Sequence, residues 1–158
     1  MNGGAKPGPA MRRRLCIVIA LASLLQACSN ASTDASIDAP DEIVQQRLLG
    51  TWLREFEENG IRVRRILVLE SDATFRETSR VTDAQGGVTE HSHAGGWLYD
   101  GTNLKRKYTL MNGQPPSRLN LPFATFEIRF ETRNEFVGMD HIHGNRIRYE
   151  KVAPETEP

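Results

Sequence analysis

The side chain with the most distinctive chemical setting in this 158-residue chain is the thiol of Cys28. It follows three consecutive arginines at residues 12–14 and an apolar run at residues 15–25. That run is shorter than the ~20 residues needed to cross a bilayer core. A positively charged start, a short apolar segment and a small residue before the cleavage point are typical of a secretory signal. Residues 1–27 are therefore predicted to be a signal peptide.

The four residues Leu25-Gln26-Ala27-Cys28 resemble the lipobox of bacterial lipoproteins. The resemblance implies cleavage before Cys28 and a lipid anchor with acyl chains such as palmitate. Each buried methylene contributes roughly 0.8 kcal/mol, so several chains hold a protein firmly at a membrane. In lipoproteins of this kind, an aspartate directly after the lipidated cysteine implies retention at the inner membrane. Here Ser29 follows Cys28, so the resemblance implies an outer-membrane lipoprotein whose domain faces the periplasm. An ordinary signal peptide with a soluble periplasmic product is the alternative, and translation can start at Met1 or Met11.

Four histidines offer metal chemistry, as the two pairs His91 with His93 and His141 with His143. On a strand, residues two apart share one face at about 6.6–7 Å along the chain. That spacing can chelate zinc or copper. However, His143 precedes a Gly-Asn turn, and no cysteine is available to complete a site. We therefore expect no metal site.

The chain carries no pattern typical of an enzyme. It has no G-x-S-x-G, no phosphate-binding glycine loop and no H-E-x-x-H. Without residues 1–27, 16 basic and 20 acidic residues remain, a net charge of −4 that does not favour nucleic acid. Cys16 leaves with the signal and Cys28 is the lipid site, so no disulfide is expected. We predict a monomer that is not an enzyme, has no cofactor and binds no nucleic acid.

Between the signal and the folded domain, residues 28–40 are small and polar and predict a flexible tether. A short helix is predicted to begin near residues 38–41 and to end at Gly50. The hydrophobic period then changes to two, and residues 41–152 are predicted to form one β domain. Its eight strands are predicted at 51–57, 61–70, 74–82, 88–99, 103–111, 123–131, 135–142 and 146–152. Residues 153–158 are predicted to be a disordered tail.

Eight short strands with almost no helix predict an all-β fold. Because most connections are tight, for example at Asn59-Gly60, consecutive strands are expected to pair antiparallel. An eight-stranded up-and-down barrel satisfies this arrangement, leaves no open edge and has room for one small ligand. A β-sandwich with two open edges is the competing architecture.

The tripeptide Gly50-Thr51-Trp52, after a short helix and at the start of the first strand, resembles the G-x-W signature of lipocalins and smaller bacterial lipocalin-like domains. The resemblance covers residues 41–152. It implies that Trp52 closes one end of the barrel. It also implies that an arginine of the last strand, Arg146 or Arg148, lies across Trp52.

The period of two predicts which side chains point into the barrel. The predicted inward apolar residues are Trp52, Phe56, Ile61, Val63, Leu67, Leu69, Phe75, Val81, Trp97, Leu104, Tyr108, Leu110, Phe126, Ile128, Phe130, Ile147 and Tyr149. The same parity carries polar residues inward, namely Arg65, Glu77, His91, His93 and Arg106. Buried charges need partners, so Arg65 or Arg106 is expected to pair with Glu77 unless a bulge turns one of them outward.

Two hypotheses for function follow from this pattern. In the first, the barrel binds or carries a small apolar or amphiphilic molecule, with Arg65, Arg106, His93 and Trp97 as candidate ligand-binding residues and an arginine holding a carboxylate. In the second, the barrel is filled and its loops, chiefly residues 112–122, contact an envelope protein or inhibit an enzyme. A lumen of roughly 300 Å³ or more would favour the first hypothesis.

Overall fold

The computed structural model describes residues 40–119 and 122–158. One helix, α1 (Pro40–Leu48), precedes eight strands. The strands are β1 (Gly50–Glu58), β2 (Ile61–Leu69), β3 (Thr74–Thr82), β4 (Val88–Tyr99), β5 (Asn103–Met111), β6 (Phe123–Thr132), β7 (Glu135–Asp140) and β8 (Asn145–Val152). The predicted signal peptide, the predicted lipid site at Cys28 and most of the predicted tether lie outside the described residues. Within the described ranges, no helix has the length and apolar character that a membrane crossing requires.

The strands form a closed antiparallel barrel in which each strand pairs with the next in sequence. Closure occurs between β1 and β8, where Thr51 is opposite Val152. The up-and-down barrel predicted from the sequence is therefore confirmed, and the open-edged sandwich is excluded. The predicted Asn59-Gly60 turn is also confirmed, because both residues have positive φ, 52° and 74°. Such a turn matches the right-handed twist of its two strands.

The helix α1 covers one end of the barrel, here called the closed end. Leu48 is fully buried, and its carbonyl oxygen accepts a hydrogen bond of 2.7 Å from the indole nitrogen of Trp52. Arg47 donates to the carbonyl oxygen of Thr132 at 3.0 Å, which ties the helix to the end of β6. The opposite end, called the open end, carries the connections β1–β2, β3–β4, β5–β6 and β7–β8.

The hydrophobic core lies in the closed half of the barrel. Trp52 packs edge-on against Phe136, with 4.7 Å between ring centres, and Phe136 stacks on Tyr149 at 5.0 Å. The buried core cluster consists of Leu48, Trp52, Leu67, Leu69, Phe75, Trp97, Leu104, Phe136, Ile147 and Tyr149. Apart from Leu48 and Phe136, all of these were predicted to point inward.

The expectation that Arg146 or Arg148 crosses Trp52 is wrong. Ile147 and Tyr149 take the inward positions of β8, so the alternating arginines point outward, and both pair there with Glu131. The cation over the Trp52 ring is Lys151, whose Nζ lies 5.1 Å from the ring centre.

Two predicted inward residues, Ile61 and Leu110, are each 42% exposed. Both lie at strand ends next to the open end, where the alternation continues but no layer of core side chains remains to cover them. Strand β7 ends at Asp140, two residues before its predicted end. The Asp140 carboxylate there accepts hydrogen bonds from the backbone N–H groups of Ile142 and His143, which turns the chain.

Residues 153–158, predicted from their composition as a disordered tail, instead make defined contacts in the structure. The N–H of Thr156 donates to the carbonyl oxygen of Ala153, which forms a turn. The carbonyl oxygen of Glu157 accepts a hydrogen bond of 3.0 Å from Arg64 on the outer face of β2.

Candidate functional site

A cluster of charged side chains crosses the middle of the barrel interior. Its members are Arg54 on β1, Arg65 on β2, Glu77 on β3, His93 on β4 and Arg106 on β5. Four of these were predicted from parity to point inward, and the structure brings them together. Strand pairing brings these side chains together, since Glu77 on β3 lies directly opposite His93 on β4.

Glu77 and Arg106 form the deepest pair of this cluster. Nη1 of Arg106 donates to Oε2 of Glu77, and the side chains are only 2% and 3% exposed. Burial by itself would raise the pKa of Glu77, but the guanidinium groups of Arg106 and Arg65 lower it below its ordinary value. Burial likewise opposes the charge of Arg106, but Glu77 raises the pKa of Arg106. The predicted pairing with Glu77 is confirmed, and both members are charged.

Arg65 is a second, weaker partner of the same carboxylate. Its Nε lies 3.7 Å from Oε1 of Glu77 and makes no hydrogen bond within the described part of the chain. Its side chain is 28% exposed, whereas that of Arg106 is 2% exposed. Arg65 therefore faces the open half of the barrel with donors that Glu77 leaves unused.

Arg54 lies directly opposite Arg65 in the β1–β2 ladder. Like charges in facing positions destabilise a sheet. Burial lowers the pKa of Arg54, Tyr149 opposes this effect, and the charge of Arg65 lowers the pKa further. Arg54 also packs over the ring of Phe56 at 4.3 Å.

Sequence reasoning missed Arg54, although a signal was available. It stands two residues after Trp52 and two before Phe56, so the period that places those aromatic rings inside also places Arg54 inside.

His93 closes the cluster on the β4 side. Its ring lies 6.4 Å from that of His91 in a stacked arrangement and edge-on to Tyr108 at 5.7 Å. Its buried Nδ1 makes no hydrogen bond to the described residues. Burial lowers the pKa of His93, Glu77 opposes this, and Arg65 adds to the lowering.

Trp97, the fourth predicted ligand-binding residue, belongs to the core of the closed half. It is 4% exposed, and its indole nitrogen donates to the carbonyl oxygen of Glu70 at 3.0 Å. The structure therefore separates it from the partly exposed face that Arg65 and His93 share.

The charge balance of the cluster defines its chemistry. Arg54, Arg65 and Arg106 bring three positive charges, whereas Glu77 is the one carboxylate that is buried in the described part of the chain. With His93 neutral, the interior carries a net charge of +2. An excess of guanidinium groups at inward, partly buried positions favours a carboxylate or phosphate, which accepts bidentate hydrogen bonds from arginine.

The other histidines do not converge on a common point. Nε2 of His141 lies 2.6 Å from Glu127, and Nδ1 of His143 lies 2.7 Å from Asp140. Among residues 40–119 and 122–158, no group of three metal-binding side chains occurs.

Aromatic packing fills the closed half and limits the lumen. Phe75 and Tyr108 lock edge to face at 5.2 Å, and the Arg106 guanidinium lies about 5.5 Å from the rings of Phe75 and Phe126. A cavity of about 710 Å³ lies against β2 to β4 and the chain end, lined by residues that include Ile66, Arg76, Arg80, Pro154 and Pro158. Inside the barrel, the side chains are more exposed toward the open end than in the closed half.

No protein-family model and no curated protein sequence matches this chain. Among solved structures, it is similar to a lipocalin-like protein from Bacteroides uniformis ATCC 8492. The two share 14% identity with a TM-score of 0.43, over 67% of this chain and 99% of that chain. The description of this chain as an eight-stranded up-and-down barrel depends on its own strand pairing.

Proposed function

We propose that the barrel binds a small amphiphilic molecule with an anionic head group. The observation that supports this most strongly is the interior net charge of +2, with a directly opposed pair, Arg54 and Arg65. Like charges in facing positions destabilise a sheet, and an anion bound between these partly buried arginines would relieve that repulsion. An eight-stranded barrel is just wide enough to be filled by side chains or to hold one small ligand.

The ligand would bind with its head group at the charged cluster and its apolar part toward the open end. Arg106 is engaged by Glu77, which leaves Arg65 and Arg54 to donate to the anion. The packed aromatic rings of the closed half block deeper entry, so the apolar part would extend toward the open end. Phe56, Val63 and Val81 line that path at the inward positions of β1, β2 and β3.

Calorimetric titration of the protein with dodecanoate, dodecanol and dodecyltrimethylammonium tests the head-group preference. We expect dodecanoate to bind at least about 10-fold more tightly than the alcohol, since a tenfold ratio corresponds to 1.4 kcal/mol. The Arg65→Met variant should lose roughly that factor. The control Arg62→Met, which removes an outward arginine paired with Glu57, should bind like the wild type. Equal binding of all three compounds would contradict the proposal, and no binding at all would favour the hypothesis of a filled barrel acting through residues 112–122.

We also propose that the chain is a lipoprotein anchored through Cys28 at the outer membrane, with a monomeric, non-enzymatic domain facing the periplasm. The support is the match of residues 25–28 to a lipobox, the preceding basic and apolar segments, and Ser29. Intact-mass measurement of the protein from its native membrane should show the added acyl chains, and Cys28→Ser should abolish them. An unmodified mass for the wild type would contradict the anchor without affecting the proposed ligand site.

A further inference from the structure

Large apolar side chains that are exposed to solvent are concentrated at the open end. Eight such residues occur in the described part of the chain, and six lie in or beside the connections of this end. These six, here called the rim, are Ile61 (42% exposed), Val88 (58%), Leu110 (42%), Leu119 (96%), Phe123 (52%) and Ile142 (75%).

The distribution is not that of ordinary surface residues. Single exposed apolar side chains are normal on any protein when they are scattered. Here every connection of the open end contributes at least one, whereas among the described residues of the closed end only the β4–β5 connection has one beside it. The remaining two, Ile43 and Leu98, lie on α1 and on the outer face of β4.

We propose that the rim docks onto a lipid surface and inserts its apolar side chains between the head groups. The rim is drawn from four separate connections that surround the mouth of the barrel. A lipid surface can receive all four connections together. The docked mouth would place the interior of the barrel in direct contact with the lipid phase.

The charges beside the rim favour apolar over electrostatic docking. Arg62 pairs with Glu57 at 3.3 Å, Arg80 pairs with Glu90 at 2.8 Å, and His143 contacts Asp140 at 2.7 Å. These contacts pair several of the charged groups beside the rim with partners on the protein itself. Binding to zwitterionic lipid that does not weaken with salt is therefore expected.

The length of chain before α1 is compatible with this orientation. With the lipid on Cys28, as proposed above, eleven residues (29–39) precede the helix. Fully extended, they reach about 36–40 Å. A strand of nine residues such as β1 spans only about 30 Å. The tether can therefore pass from the membrane to the closed end while the open end faces the same membrane.

Tryptophan quenching in the full chain tests the docking. Leu119→Trp, Ile142→Trp and the matched control Leu98→Trp are each mixed with phosphatidylcholine vesicles that contain brominated phosphatidylcholine. The native Trp52 and Trp97 are 0% and 4% exposed, so they contribute little quenching. We expect the signal of the two rim tryptophans to fall by roughly half with a shift to shorter wavelength, without change at high salt. Leu98→Trp should match the parent protein.

The Leu98→Trp control distinguishes docking by the rim from a protein that is merely held near the membrane by residues 1–28. Equal quenching at Leu98 and at the rim, quenching at Leu119 alone, or loss of quenching at high salt would each overturn the proposal. Absence of quenching together with concentration-dependent dimers in sedimentation would assign the rim to a second copy instead. Because the measurement uses no added ligand, its result is independent of the head-group titration.

Discussion

The closed and open halves of this barrel use the same eight strands and the same alternation, but they fill the interior differently. In the closed half the inward side chains are apolar, aromatic contacts join Trp52, Phe136 and Tyr149, and α1 covers the end. In the open half the inward positions carry Arg54, Arg65 and His93, and the side chains are partly exposed. The difference places the packed core at one end of the sheet and the proposed ligand site toward the other.

This division has an energetic reason. Burying an uncompensated charge costs several kcal/mol in a protein whose total stability is typically only about 5–15 kcal/mol. A well-packed closed half allows the chain to retain three arginines against one carboxylate in the same barrel. The Glu77–Arg106 pair lies at the boundary between the two halves. Core residues cover it on the closed side, and Arg65 lies next to it on the open side.

The difference between the closed and open halves would be contradicted most directly if truncating an aromatic side chain lowered the free energy of unfolding equally in both. Phe136→Ala, which opens a cavity beside Trp52, is expected to lower the free energy of unfolding by about 4–5 kcal/mol. The matched change Phe56→Ala, in the half-buried open half, should cost less than about 1.5 kcal/mol. Urea unfolding followed by circular dichroism measures both. Similar costs would show that the core extends through the whole barrel.

Removing the charge at the boundary should have the next largest effect. Glu77→Gln leaves Arg106 buried without a counter-charge and is expected to cost about 3–4 kcal/mol of unfolding free energy. The double variant Glu77→Leu with Arg106→Leu should recover most of this loss, because apolar residues can replace a buried ion pair. The control Glu57→Gln breaks an exposed pair and should change stability by less than about 1 kcal/mol. A stable single variant would contradict the structural role of Glu77.

A glycine on β4 allows this strand to approach β5 closely. A Cβ at Gly95 would lie 1.9 Å from the carbonyl oxygen of Lys107 and 3.0 Å from the ring of Phe75, beside the register shift after Ala94. Gly95→Ala should therefore cost about 2–3 kcal/mol in urea unfolding. Gly96→Ala meets only the carbonyl oxygen of Ala73 at 3.7 Å and should be close to neutral. Equal stability of the two variants would argue against this close approach.

The smallest expected effect is a pH dependence from His93. Its pKa is lowered in the folded state, chiefly by burial, so the unfolded chain takes up the proton first as the pH falls below about 6.5. The contribution of neutral His93 is complete above that pH and declines toward the folded pKa. Between pH 8 and 5.5, the free energy of unfolding should fall slightly more for the wild type than for His93→Gln, as measured by thermal unfolding. Near pH 8 the free energy of unfolding should change with pH at the same rate in both proteins. If the two pH dependences stay parallel down to pH 5.5, His93 makes no contribution.

Much of the fold follows from local sequence pattern. The helix before Gly50, the eight strands and the Asn59-Gly60 turn were predicted close to their observed bounds, because alternation and turn chemistry act within a few residues. Parity also predicted that Arg65, Glu77, His93 and Arg106 point inward. The rule fails at Ile61 and Leu110, since period two specifies a face of the strand but not whether other residues cover it.

The sequence by itself determined the element order, the inward face of every strand except β7, and the motif at residues 25–28 that supports the proposed anchor. Only the tertiary structure decided that the sheet closes, that Arg106 on β5 pairs with Glu77 on β3, and that the exposed apolar residues of four separate connections form one rim. The physical reason is that alternation is a short-range steric property, whereas partners across the barrel depend on the register of successive strand pairs. The placement of Lys151 over Trp52 followed from that register, whereas the outward placement of Arg146 and Arg148 follows from alternation with Ile147 and Tyr149.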